Sequence, residues 1–257
     1  MPTLPSARLG GASMRLRASP DPFFLSTSHR QGQVRRRGTR PRGAPMGDAA
    51  IRSQREAMVD KQLVARGISD ERVLAAMREI PRHRFVPSSK LGLAYGDRPV
   101  PIGSGQTISQ PYIVAMMSSL LSELEEGAKV LEIGSGSGYQ TAILVHMGLE
   151  VHAIEILPKL AEASRTTLEE LDLTPASLRA ANGQTGLIEH APYEAIIAAA
   201  CAKRLPAAWP EQITPGGTIV APIGRWRRQR LAKWQEKDGA LHRSDVCGVR
   251  FVPLVGS

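Results

Sequence analysis

The sequence predicts an α/β fold: a doubly wound, mostly parallel sheet preceded by helices and finished by an antiparallel hairpin. Three observations predict it. Strand-length apolar runs at 128–133, 150–155, 176–181, 193–199 and 218–223 are interleaved with helix-spaced segments at 138–147, 158–171 and 206–213, and such alternation builds a parallel sheet covered on both faces. The first run ends in a glycine-rich turn, Val130 to Gln140 (VLEIGSGSGYQ), that feeds a helix. Two further strands, 230–236 and 244–252, flank a Lys237-Asp238-Gly239 turn and add an antiparallel edge to a sheet of seven strands.

The elements follow in order. Residues 1–48 are expected to form a disordered Arg-rich tail and residues 49–257 the folded domain. Nine arginines against one acid give residues 1–47 a charge of +8, out of +9 for all 257 residues, so the basic balance belongs to the tail and the body is nearly neutral. The tail reads first as a dispensable extension ahead of Met46 or Met58; its composition also overlaps that of organelle transit peptides, and an RNA-contacting arm is the third reading. Ile51 to Arg66 reads as a helix closed by Gly67, and a second helix runs from an N-cap at Ser69 to Glu79, where Pro81 breaks it. Residues 81–111 are Pro/Gly-rich and read as a long functional loop. Tyr112 to Leu124 resumes helical spacing, and the alternation begins after it. Pro215-Gly216-Gly217 reads as a turn.

In an open α/β sheet, ligands collect at the carboxyl ends of the strands. Gly134, Gly136 and Gly138 follow the first strand with a G-x-G-x-G spacing tighter than the dinucleotide fingerprint. Glu132, two residues ahead of them, would repel a diphosphate but suits a cation. Glu155 ends the second strand, where a carboxylate accepts ribose hydroxyls. Asn182-Gly183 ends the third, near an adenine edge. S-adenosyl-L-methionine, cationic and carrying a nucleoside, meets these conditions, so a Rossmann-like S-adenosylmethionine-dependent methyltransferase domain is the first expectation. Taken singly, each feature has a plainer reading: a bare turn at the glycines, a helix N-terminal charge at Glu155, an ordinary turn at Asn182.

Three segments carry a more specific resemblance: GQTISQPYIVAMM (Gly105 to Met117), VLEIGSGSGYQTAILV, and VRFVPL (Val249 to Leu254). With ISDERVLAAMREIPRHRFVP, the Tyr95–Asp97 region and APYEAIIAAA, they make the body from Met58 to Leu254 resemble the protein-L-isoaspartate O-methyltransferase family. The resemblance implies methyl transfer from S-adenosyl-L-methionine to the free carboxyl of L-isoaspartyl residues in damaged proteins. The ester then closes to a succinimide that opens partly to aspartate. It also implies Ser109 at the active site, with Thr107 in support, and a backbone from Gln106 through Ile108 to Ser109 bordering cofactor and substrate. Glu132, Glu155, Asn182 and Gly183 match cofactor-contacting positions, and VRFVPL is expected to hold an extended substrate chain.

A carboxylate with a pKa near ~4 is already a nucleophile at neutral pH and needs orientation rather than a base. Ser109 is the chosen orienting donor; its plainer role is to cap the helix that starts at Pro111. His83, flanked by arginines, reads as structural or surface, and Arg225 to Arg230 as a solvated face. Cys201 and Cys247 form no metal or disulfide pattern, no apolar run nears the ~20 residues of a membrane span, and a cytoplasmic monomer is expected. The chain departs from the family where Ala181-Asn182-Gly183 replaces Gly-Asp-Gly, Ser104 a tyrosine, Leu187 an aromatic and Ala198-Ala199 a Val-Thr pair. Weaker cofactor binding and a shifted substrate range are expected from these. Two rivals remain: a methyltransferase acting on RNA or a small molecule, and a non-catalytic binding module on the same scaffold.

Overall fold

A computed structural model describes residues 47–225 and 228–255; the predicted tail lies outside them. Helix α1 (Asp48–Met58) continues through a π-turn (Val59–Leu63) and a 3₁₀ turn (Val64–Arg66) to Gly67, whose φ of +88° stops it. Helix α2 (Glu71–Glu79) begins one residue later than expected: the cap is Asp70, whose carboxylate accepts from Val73 N at 2.9 Å, and not Ser69. It buries Val73, Leu74, Ala76 and Met77 along one stripe, the spacing that first marked it.

The 81–111 stretch is less irregular than its composition suggests. It holds 3₁₀ turns at Arg82–Phe85 and Ser88–Leu93, then a small antiparallel hairpin of β1 (Val100–Gly103) and β2 (Gln106–Ile108). Positive φ at Ser104 and Gly105 (+50° and +70°) makes the tight turn. Strands of four and three residues are too short for their alternation to be read. Helix α3 (Pro111–Ser119) ends earlier than Leu124, giving way to turns over 120–124.

The main sheet contains β3 (Lys129–Ile133), β4 (Glu150–Glu155), β5 (Ser177–Ala180), β6 (Tyr193–Ala198), β7 (Ile213–Arg225), β8 (Arg228–Lys237) and β9 (Ala240–Val249), in the order β5-β4-β3-β6-β7-β8-β9. Strands β3 to β7 run parallel, and β8 is antiparallel to both its neighbours. Helices α4 (Tyr139–His146) and α5 (Pro158–Glu169) make the two crossovers outward from β3. The chain then returns to β6, so the strand order reverses beside the carboxyl end of β3.

Alternation along the strands splits the core. Val130, Val151, Ala153, Ile197 and Val220 pack with the helices, while Leu131, Ile133, Ile154, Ile196 and Ile219 pack on the other face with Trp209 and Leu254. That second cluster draws no residue from an α-helix. The helix expected at 206–213 is replaced by turns and a 3₁₀ turn at Pro210–Gln212, because prolines at 206 and 210 interrupt it. Trp209 instead plugs the face, donating from Nε1 to Gly183 O at 2.8 Å. The Pro215-Gly216-Gly217 turn lies within β7, where the register against β6 jumps from Ile213 to Thr218. Strand β9 starts directly after Asp238-Gly239 (φ +53° and +81°) and stops at Val249, not at 252. Residues 250–255 leave the sheet and run beside Cys201, whose N–H donates to Val252 O and whose C=O accepts from Leu254 N, both at 2.8 Å.

Candidate active site

The glycine turn hangs from the end of the neighbouring strand. Gly134 N and Ser135 N both donate to Ile154 O, at 2.8 and 3.2 Å. Glu155 clamps the turn from the side: Oε2 accepts from Gly136 N and Oε1 from Leu157 N, each at 3.0 Å. All three glycines have positive φ (+84°, +56° and +88°), a conformation that is cheap only without a Cβ. Gly134 and Gly136 line a cavity, and a Cβ on either would meet nothing closer than 3.8 Å. Their openness leaves backbone free to touch a ligand. Gly138 lies outside the cavity and serves packing, since a Cβ there would sit 3.1 Å from Leu168 Cδ1 and 3.2 Å from Ser164 Cβ.

The acidic and amide residues at the strand ends are placed unequally. Glu155 lines the cavity; each carboxylate oxygen has one backbone donor and keeps lone pairs for ligand hydroxyls. Glu132 lies outside the cavity lining and is wholly buried. Its Oε2 accepts from Thr141 Oγ1 at 2.5 Å and Oε1 has no partner. Burial, with a smaller push from the Glu155 charge, raises its pKa to about 7. After β5, Ala181 and Gly183 line the cavity but exposed Asn182 does not; its Oδ1 accepts from Gln184 N at 3.0 Å, capping a 3₁₀ turn (Gly183–Thr185).

The β1–β2 hairpin delivers Gln106, Thr107, Ile108 and Ser109 to the same cavity. The helix-capping role open to Ser109 is not taken: the residue before α3 is Gln110, and no side chain caps that helix. Neither the Ser109 nor the Thr107 hydroxyl has a hydrogen-bond partner among the described residues. The Ser109 carbonyl, by contrast, is gripped by Arg82 Nη2 at 2.6 Å, while Arg82 Nε donates to Ala94 O at 2.8 Å. Arg82 is fully buried, and its guanidinium carbon lies 4.7 Å from the Tyr139 ring centroid. Sequence reasoning missed this residue. Its signal was a cation between Pro81 and apolar Phe85, but His83 was the more conspicuous neighbour. That histidine has its Nδ1 2.8 Å from Tyr95 Oη, and burial lowers its pKa. It does not line the cavity. Gln110 is tied in turn to Asp97 at 2.7 Å, and Asp97 to Arg66 at 3.0 Å.

Val252 to Val255 form the opposite wall. Gln229, nearly buried, holds this segment by both ends of its amide, accepting from Phe251 N at 2.6 Å and donating to Phe251 O at 3.1 Å. On the cavity floor Ser135 Oγ is buried without a partner, a cost that a ligand would relieve. Bare glycine backbone, a clamping carboxylate, an orphan hydroxyl and a slot beside Ala181 fit an adenosyl group with a charged amino-acid end. Among the described residues no cluster of His, Cys, Asp or Glu could hold a metal ion, and Cys201 and Cys247 are free thiols.

Fold and site together define the S-adenosylmethionine-dependent methyltransferase class. Comparison narrows it: residues 53–257 match the family model for protein-L-isoaspartate(D-aspartate) O-methyltransferase, and the chain belongs to that family. It is 46% identical over 205 residues to the protein-L-isoaspartate O-methyltransferase of Methanoculleus marisnigri, covering 80% of this chain and 93% of that one. Its similarity to the Gloeobacter violaceus enzyme of the same name is also 46%, over 77% of this chain and 96% of the relative. A solved protein-L-isoaspartate O-methyltransferase superposes with a TM-score of 0.71 at 28% identity, over 79% of this chain and 66% of that longer one, just under two thirds of its length. A structure of this type from Plasmodium falciparum, in complex with S-adenosyl-L-homocysteine, gives a TM-score of 0.69 at 25% identity, over 80% and 98% of the two chains.

Proposed function

We propose that this chain methylates the free α-carboxyl of L-isoaspartyl residues in damaged proteins, using S-adenosyl-L-methionine. One observation carries the reading: a hydroxyl-bearing loop, Thr107 to Ser109, shares one cavity with the glycine turn and Glu155, and both hydroxyls are uncommitted. The cofactor supplies an electrophilic methyl on a sulfonium; everything else falls to the chain. Gly134 and Gly136 offer backbone to its amino-acid end, Glu155 accepts the ribose hydroxyls, and Ser135 Oγ gains a partner. The slot between Ala181 and Gly183 takes the base. Glu132 beneath the turn, its ionisation poised near neutrality, biases the floor towards a cation.

The acceptor carboxylate is ionised before it arrives, so no proton has to move as the new O–CH₃ bond forms and the S–CH₃ bond breaks. What the reaction needs is one oxygen held in line at near-attack distance, in a site shielded from water. Ser109 donates to the carboxylate and is itself held by the Arg82 grip on its carbonyl; Thr107, exposed at the mouth, guides entry. The wall at Val252–Val255 lies where an extended peptide would pass. Among the described residues no helix is long and apolar enough to cross a membrane.

Labelled S-adenosyl-L-methionine and two peptides differing only in an isoaspartyl or an aspartyl residue test this. Label should enter the isoaspartyl peptide alone; equal labelling, or none, rejects the reading.

A further inference from the structure

Next to the catalytic cavity lies a groove of about 1010 Å³ that shares Thr107 and the Val252–Val255 wall with it. Its rim carries Lys203, Arg225 and Arg250, from three separate stretches of chain, and no Asp or Glu lines it. All three cations are exposed. Several arginines elsewhere are neutralised in pairs, as in Arg84–Glu170, Arg179–Glu189 and Arg230–Asp245, while others among the described residues, such as Arg98 and Arg204, are not. Lys203, Arg225 and Arg250 have no ion-pair partner among the described residues. A third hollow, sharing Pro99, Thr107, Gln229 and the 250–252 stretch with the groove, again has Arg250 and no acid. Whatever leaves the catalytic cavity past Thr107 therefore enters a positive field with no built-in counter-charge, although the folded body is nearly neutral.

We propose that this groove is a subsite for an acidic side chain next to the isoaspartyl residue, so that the chain selects anionic segments of damaged proteins. The inference rests on the methyltransferase reading above and adds a substrate class to it. A peptide whose carboxylate meets Ser109 must send its neighbouring residues out past Thr107, and the groove has room for several of them. Exposed cations act over roughly a Debye length, about 8–10 Å at moderate salt, so they speed capture and lower KM rather than change the methyl-transfer step.

The test is a set of isoaspartyl peptides with Glu, Gln or Lys on either side of the damaged residue, assayed with the full chain. We expect KM to be lowest for Glu and highest for Lys, by about 3–10-fold across the series at low ionic strength, with kcat little changed and the spread collapsing in high salt. The double variant Lys203→Glu, Arg225→Glu should invert the order. Equal KM values across the series, or a preference for Lys in the parent chain, overturn the subsite while leaving the repair activity standing. Failure to label any isoaspartyl peptide removes that activity, and the subsite with it. Because the peptide series uses the parent chain, it decides the matter even if the double variant does not fold.

Discussion

Ser109 and Arg82 divide one task between them. Ser109 lines the cavity while the guanidinium, fully buried, fixes the carbonyl of the same residue. Removing the hydroxyl takes away one hydrogen bond to a charged acceptor, worth about 1.5–3 kcal/mol. Ser109→Ala should therefore lower kcat about 10–100-fold with an unchanged melting temperature, measured by steady-state kinetics beside thermal unfolding; a parent-like kcat would remove Ser109 from the chemistry. Arg82 acts through Ser109 and is a positioning residue. Glu132 makes a second residue-scale case. Its folded pKa of about 7 lies above the ordinary 4.5, so the folded state holds the proton more tightly than the unfolded chain. Stability is then greatest below the unfolded value and falls as pH climbs from ~4.5 to about 7, by roughly 3 kcal/mol. Glu132→Gln cannot ionise, and it should unfold at higher urea than the parent at pH 8 with little difference at pH 4.5. A gap of equal size at both pH values would refute this account.

Among the elements, the β3–turn–α4 unit was the most legible, because glycines with positive φ are written directly into sequence. The uses of the glycines were not. Gly183 reads as a ligand-facing turn residue, yet a Cβ there would fall 2.5 Å from Ile133 Cγ2 and 3.0 Å from Leu254 Cδ1. Gly183→Ala should thus destabilise by about 1–3 kcal/mol through overpacking. Gly248→Ala, where nothing lies within 4 Å of the new methyl, should cost nothing. Equal melting temperatures for the two would contradict the packing argument. The β1–β2 hairpin reads as loop from sequence because so few residues alternate. The 206–213 segment is expected as a helix from its place after β6 in the strand–helix alternation, yet Pro206 and Pro210 leave only turns there. Arg82 stayed hidden for another reason: burial of a cation depends on what the fold wraps around it, and no local pattern encodes that.

At the scale of the whole molecule, the strand order reverses beside β3, and there the catalytic cavity opens. Relatives of about 205 aligned residues cover 93–96% of their own lengths with this chain's body, and the family match begins at residue 53. The similarity to the family thus lies in the body and not in residues 1–46. Deleting them should leave kcat/KM for an isoaspartyl peptide within about twofold of the parent, since the near-neutral body keeps its own charges. A larger loss would make the arginine-rich stretch part of the working enzyme.

The wall at Val252–Val255 follows every strand among the described residues and is fastened by two backbone bonds at Cys201, by Gln184 Nε2 donating to Val255 O at 3.4 Å, and by Leu254 buried in the second core cluster, next to Phe251 held by the Gln229 amide. A buried apolar anchor as well as hydrogen bonds ties this edge of the site to the cooperative core. The edge of the site is thereby set by the core, so a change at Leu254 or Gly183, both of which line the cavity, reaches the site through packing.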